Sequence, residues 1–148
     1  RRKKQAGAED QEKKEKKKEE IKELAKEKTK EKIDKGMKVY RVWGGGSPLL
    51  GQFWTNLDPS NGHFPVTVMT DKGPRKKSFY RVMGGLPDKN NGKYLAVGKI
   101  KNKKQIQQTP GGAKKIYDWQ RGGWPELIIP DPKRQIENIV MINIKQGF

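Results

Sequence analysis

A change of composition at residue 37 decides where this chain can build a core. All four tryptophans lie beyond it, whereas residues 1 to 36 hold 15 Lys/Arg and 10 Asp/Glu with little that is apolar besides Ile21, Leu24, Ala25 and Ile33. A segment of that kind has too little apolar surface to offset the entropy of ordering its own core. Its Glu9–Lys13, Glu12–Lys16 and Glu23–Lys26 spacings place opposite charges one helical turn apart, which supports a solvated helix. No sustained apolar seam marks it as a coiled coil. The expectation is therefore a charged helical linker over residues 1–36 and a folded domain over residues 37–148.

The folded part carries 19 basic against 7 acidic residues, a net of +12 within a chain total of +17. Such a balance attracts polyanions: nucleic acid, an anionic surface or an acidic protein. There is no cysteine and only one histidine, His63. Disulfides, thiolate metal sites, a cysteine nucleophile and a histidine metal cluster are thereby excluded, and no metal site is expected. The longest apolar run, Ile139-Val140-Met141-Ile142, is far short of the roughly 18 residues that span a bilayer. A first residue of Arg1 suggests a piece excised from something longer.

Runs rich in β-branched and aromatic residues predict strands at 38–43, 51–55, 66–70, 93–100, 127–129 and 136–145, punctuated by Gly, Pro and Asn. Short helices are expected at 101–108 or 74–80. The result is a small, strand-dominated α+β domain preceded by a charged helix. Tyr40-Arg41-Val42-Trp43-Gly44-Gly45 has an echo in Tyr80-Arg81-Val82-Met83-Gly84-Gly85, with flanks too different for a structural repeat.

Several constellations are chemically suggestive. Arg41 stands before Gly44, Gly45 and Gly46, so its guanidinium can fork onto a phosphate that glycine backbone lets approach; the same pattern also fits a surface arginine beside a hairpin turn. Phe53, Trp54 and Thr55 combine aromatic surface with a hydroxyl, suited to a flat cationic ring, or simply to a core strand. Thr109 to Tyr117 is a second glycine turn that feeds basic and aromatic residues. Glu126 and Glu137 are the only glutamates of the folded part. Glu137, heading a strand, fits a solvated strand-start glutamate, or, ahead of Glu126, a carboxylate that stabilises positive charge at an anomeric carbon. His63 is a possible general base without an evident partner. Lys101, Lys103, Lys104, Lys114 and Lys115, with Trp119 and Trp124, form a possible RNA-holding surface.

The order Tyr-Arg-Val-x-Gly-Gly (40–45), Gly-x-Phe-Trp-Thr (51–55), Gly-Leu-Pro-x-x-Asn-x-Gly-x-Tyr-Leu-x-x-Gly-x-Ile (85–100) and Pro-Gly-Gly-Ala (110–113) resembles the NAD-consuming C-terminal toxin domains of bacterial polymorphic toxins. These are ADP-ribosyltransferase-like and include NAD glycohydrolases similar to the tuberculosis necrotizing toxin. The resemblance implies NAD as substrate, with Arg41 at its phosphates and Trp43, Gly44, Gly45, Phe53, Trp54 and Thr55 around it. It also implies secretion, delivery into a target-cell cytoplasm for interbacterial competition, an acidic immunity protein, and a nucleic-acid or protein acceptor if ADP-ribose is transferred. Relatives place a glutamine or glutamate after the Pro-Gly-Gly turn or on a late strand. Here Lys114 and Lys115 follow the turn, so the catalytic carboxylate falls to Glu137, or the role to Gln107, Gln108 or Gln120. The alternatives are a metal-independent RNase toxin built on His63, and a non-enzymatic nucleic-acid-binding module.

Overall fold

The charged segment is one helix, α1 (Arg2–Thr29), and its second half belongs to the fold. The computed structural model describes the main chain of residues 2–148 and the side chains of residues 11–148. Ion pairs at i,i+3 run along α1, Lys18–Glu15, Lys22–Glu19 and Lys26–Glu23, the last as expected. The expected pair Glu9–Lys13 lies outside the described side chains. Exposed pairs of this kind are screened by water and add little to stability. What fixes α1 is burial: Ile21 and Ala25 are 6% and 2% exposed, in one cluster with Phe79, Tyr80 and Trp124. At its end the Lys28 carbonyl accepts from Asn56 Nδ2 and from Gln108 Nε2. The expected linker therefore contributes core side chains and docking carbonyls, because two apolar residues four apart share one helix face.

The rest is a small α+β domain. Strands β1 (Lys38–Gly45), β2 (Phe53–Trp54), β3 (Pro65–Thr70) and β4 (Gly73–Ser78) lead to the short helix α2 (Phe79–Gly84). Then follow β5 (Asn90–Ile100), β6 (Gln107–Gln108), β7 (Leu127–Ile128), the single turn α3 (Pro132–Gln135) and β8 (Ile136–Asn143). Three antiparallel sheets result, ordered β1-β5-β8, β2-β7-β6 and β3-β4. Alternate residues of the β1–β5 ladder serve two cores. Val42 and Leu95 face the cluster with α1 and α2, whereas Val39, Ala96 and Ile100 face Trp54, Leu127 and Ile129. This ladder is thus covered on both faces and acts as the central wall.

Two local expectations fail. Residues 101–108 are not helical: Gln105 has φ +63°, and Gln135 Nε2 donates to the carbonyls of Asn102 and Lys104, so the main chain turns around that amide. Residues 74–78 belong to strand β4, paired from Pro74↔Met69 to Ser78↔Pro65, and the helix begins only at Phe79. The Ser78 hydroxyl caps it by accepting from Arg81 N.

If α1 is integral, Ile21→Ala lowers the unfolding free energy by about 2–4 kcal/mol, the usual cost of emptying a buried aliphatic site. Urea denaturation checks this, and an unchanged midpoint would return the helix to the status of an appendage.

Candidate functional site

A cleft of about 700 Å³ opens between the 47–55 segment, the end of α2 and the start of β7. That volume is within the range of pockets that hold drug-sized ligands, roughly 300–1,000 Å³. Its walls draw on segments far apart in sequence, and each is held by identifiable contacts.

Arg41 builds the first wall. It sits in the β1–β5 ladder, 9% exposed. Its Nε and Nη2 donate to the Pro48 carbonyl at 3.1 and 2.9 Å, and its Nη1 donates to the Phe53 carbonyl at 2.9 Å. Three of its five N–H groups thus hold the loop from Ser47 to Phe53. Gly51 packs so closely on the guanidinium that any Cβ there would overlap it. Burial pulls the Arg41 pKa down, opposed by the nearby Tyr80, but an arginine starts so high that it stays charged. The expected β1–β2 neighbourhood is present: Tyr40 and Thr55 exchange two main-chain hydrogen bonds of 2.8 Å.

The opposite wall comes from α2 and the glycine turn at 110–113. Gly85 ends α2 in the left-handed region at φ +62°, and a Cβ on it would strike the Lys114 carbonyl, so only glycine lets the two segments meet. Trp124 N donates to Met83 O and Ala113 N to Trp124 O, which ties the turn to the helix and to the approach of β7. Tyr80, packed edge-on against Trp124 at 5.0 Å, lines the cleft. Burial pushes its hydroxyl far above the usual phenol range; the Arg41 charge opposes this and Glu126 adds to it. Tyr80 is therefore a neutral hydrogen-bond donor at any ordinary pH.

Glu126 contributes the cleft's carboxylate. It precedes β7, which pairs with β2 through Phe53↔Ile128 and Trp54↔Leu127, so the chain brings it beside the 47–55 segment. The Thr109 hydroxyl donates to its Oε1 at 2.8 Å, and Thr109 N donates to its carbonyl. Lys89 and Lys114 add positive charge to the lining.

Arg41, Phe53, Trp54 and Thr55 are thus brought together as the sequence leads one to expect. Two of them are hydrogen-bonded within the wall itself. Thr55 Oγ1 accepts from Leu57 N and donates to Leu57 O, and Trp54 Nε1 donates to Gly51 O, so both are wall groups. Phe53, 57% exposed, is the accessible aromatic.

Trp43, Gly44 and Gly45 are not in the lining. Trp43 stacks on Tyr94 at 4.6 Å. Gly44 and Ser47 close a tight turn, and Gly45 approaches the Lys89 carbonyl so closely that a Cβ would stand 2.7 Å from it. These glycines admit a neighbouring turn of the chain instead of a phosphate. Glu137 lies opposite Lys99 on β8, away from the cleft lining, and is not brought together with Arg41. The glutamate that is, Glu126, follows Trp124-Pro125; its position depends on the β2–β7 pairing, for which the sequence has no local signal.

Of the glutamine candidates, Gln120 is consumed by four bonds, to Arg81 O, Leu86 O, Ile116 N and Tyr117 N, and Gln108 by the end of α1. His63 donates to Gln146 O and packs on Phe148. Trp124 is buried and Lys103 pairs with Asp34, so the expected RNA-holding cluster is partly committed elsewhere. Among the described residues no group of three His, Asp or Glu is placed to hold a metal, and no helix is long and apolar enough to cross a membrane.

No family model, curated relative or solved structure matches the chain.

If Arg41 is the fastening of the 47–53 loop, Arg41→Lys cannot fork onto both carbonyls. The loss of charged hydrogen bonds lowers stability by about 2–4 kcal/mol. Amide exchange in residues 47–55 should accelerate more than in β5. Equal exchange in wild type and variant would contradict this role.

Proposed function

We propose that the cleft binds NAD and that the domain cleaves its nicotinamide–ribose bond, as a toxin domain of the ADP-ribosyltransferase-like kind. One observation carries the reading: Arg41, the Phe53–Thr55 segment and a carboxylate, Glu126, line a single cleft of dinucleotide size. The motif resemblance supplies the first two, and the geometry supplies the third in place of Glu137.

In this mechanism Arg41 shapes the loop that receives the ligand. Its two N–H groups not spent on Pro48 and Phe53, with Lys89 and Lys114, supply positive potential for a pyrophosphate. Phe53, with Trp54 and Trp124 also in the lining, supplies aromatic surface for a cationic nicotinamide. The carbon–nitrogen bond breaks with its electron pair leaving on nicotinamide, which departs neutral. The ribosyl cation left behind is stabilised by the Glu126 carboxylate, whose Oε1 is held by Thr109. Water adding to that cation gives ADP-ribose and a proton; a nucleophile on an acceptor gives transfer instead. Delivery into a target cell and neutralisation by an acidic immunity protein belong to the same reading.

Glu126→Gln keeps the shape of the side chain and an oxygen to accept from Thr109. It should reduce nicotinamide release from NAD by about 10²–10³-fold, the usual scale for losing one charge-stabilising group. Glu137→Gln should leave turnover unchanged. Chromatographic assay of free nicotinamide decides the matter; absence of turnover in the wild type, or the reverse ranking of the two variants, would remove the proposal.

A further inference from the structure

Strand β8 reads like an interior strand but stands at an edge. Parallel or covered strands carry continuous apolar runs, whereas a half-exposed edge strand ordinarily alternates or carries a charge or proline that blocks pairing. β8 pairs with β5 alone in the order β1-β5-β8. Its run Ile139-Val140-Met141-Ile142 is apolar on both faces, and Val140, Met141 and Ile142 are 60%, 58% and 44% exposed.

The start of the strand is protected and the rest is not. The register slips between Val97 and Lys99, with Asn138 at φ +57°, which marks a bulge opposite Gly98. A Cβ on Gly98 would run into Ile136, so glycine is what lets the bulge close against β5. Beyond it the pairs Val97↔Val140, Ala96↔Met141, Leu95↔Ile142 and Tyr94↔Asn143 are regular. Five residues, 139–143, four of them apolar, therefore offer an outer edge that no other described strand pairs with.

The charge around this edge identifies what it accepts. Lys93 and Lys99 stand on β5, one strand in from this edge, with Lys99 opposite Glu137, while Lys101, whose N donates to Gln135 O, and Lys145 lie at the two ends of β8. All four lysines are exposed, and Glu137 is the one acid of the strand. A second copy of the chain would bring the same lysines and a further +17 to the contact. We infer that β8 is a docking edge to which an acidic partner protein adds an extended segment, through main-chain pairing with residues 139–143 and carboxylates beside the lysines. Main-chain hydrogen bonds would supply affinity, and alternate side chains the specificity. This surface does not involve the cleft, and its test does not depend on NAD.

The probe is a library of random nine-residue peptides selected against the immobilised wild-type chain. Counter-selection uses the double variant Val140→Thr, Ile142→Thr, which retains β-branched side chains at exposed positions and whose fold circular dichroism verifies. Enriched peptides should alternate acidic with apolar residues and bind the double variant at least about tenfold more weakly, the equivalent of about 1.4 kcal/mol. Their binding should weaken as salt is raised, and they should slow amide exchange within residues 139–143. Enrichment of basic peptides, no discrimination between the two proteins, or unchanged exchange in β8 would overturn the inference. Sedimentation of the free chain as a dimer that the double variant abolishes would overturn it too, by making a second copy the occupant.

Discussion

Two buried arginines, fastened to main-chain oxygens, hold the cleft open. Arg41 grips the Pro48 and Phe53 carbonyls on one side. Arg81 grips the main-chain oxygens of Phe148, Asn90 and Pro87 on the other, with four hydrogen bonds between 2.6 and 3.1 Å. Burial lowers the pKa of both without discharging either. A buried guanidinium is costly unless its N–H groups are satisfied, and a loop carbonyl is an acceptor that water would otherwise serve. Each arginine thus organises loops that lack regular structure of their own, and the loops become walls.

This arrangement explains why so little regular structure supports so large a cleft. β2 and β7 are two residues long, yet Phe53↔Ile128 and Trp54↔Leu127 place Glu126 beside the arginine-held loop. The glycine turn at 110–113 and the left-handed end of α2 meet backbone to backbone at Gly85 and Lys114. Side-chain anchors and close backbone approaches do what longer strands do elsewhere. The same economy brings α1 into the core through two well-buried apolar residues among those described, Ile21 and Ala25.

How much of this was legible in the sequence varies with the range of the interaction. Strands with β-branched runs, β1, β3, β5 and β8, were readable because local propensity and burial agree. β4, Gly-Pro-Arg-Lys-Lys-Ser, was not: it is a strand only because β3 is there to pair with it. The echo Tyr-Arg-Val-x-Gly-Gly is the sharpest case. Its first copy is strand β1 and its second is helix α2, where the Ser78 cap and the αL Gly85 set the outcome. What both copies share, a buried arginine, is a tertiary property. On the cleft, Arg41, Phe53, Trp54 and Thr55 lie within 15 residues and were readable together. Glu126 is inconspicuous beside Glu137 because β2–β7 pairing leaves no local trace, whereas Glu137 heads a strand rich in β-branched residues. The charged lead-in hid its docking role because two apolar residues among many lysines look incidental.

The four tryptophans give a direct test of a ligand seated in this cleft. Trp54 and Trp124 line it, and Trp43 and Trp119 do not. With the Glu126→Gln chain labelled with nitrogen-15 at the indoles, NAD should shift the Trp54 and Trp124 resonances in a saturable manner and leave those of Trp43 and Trp119 in place. Saturable shifts confined to Trp43 or Trp119, or four unmoved resonances at millimolar NAD, would contradict the account.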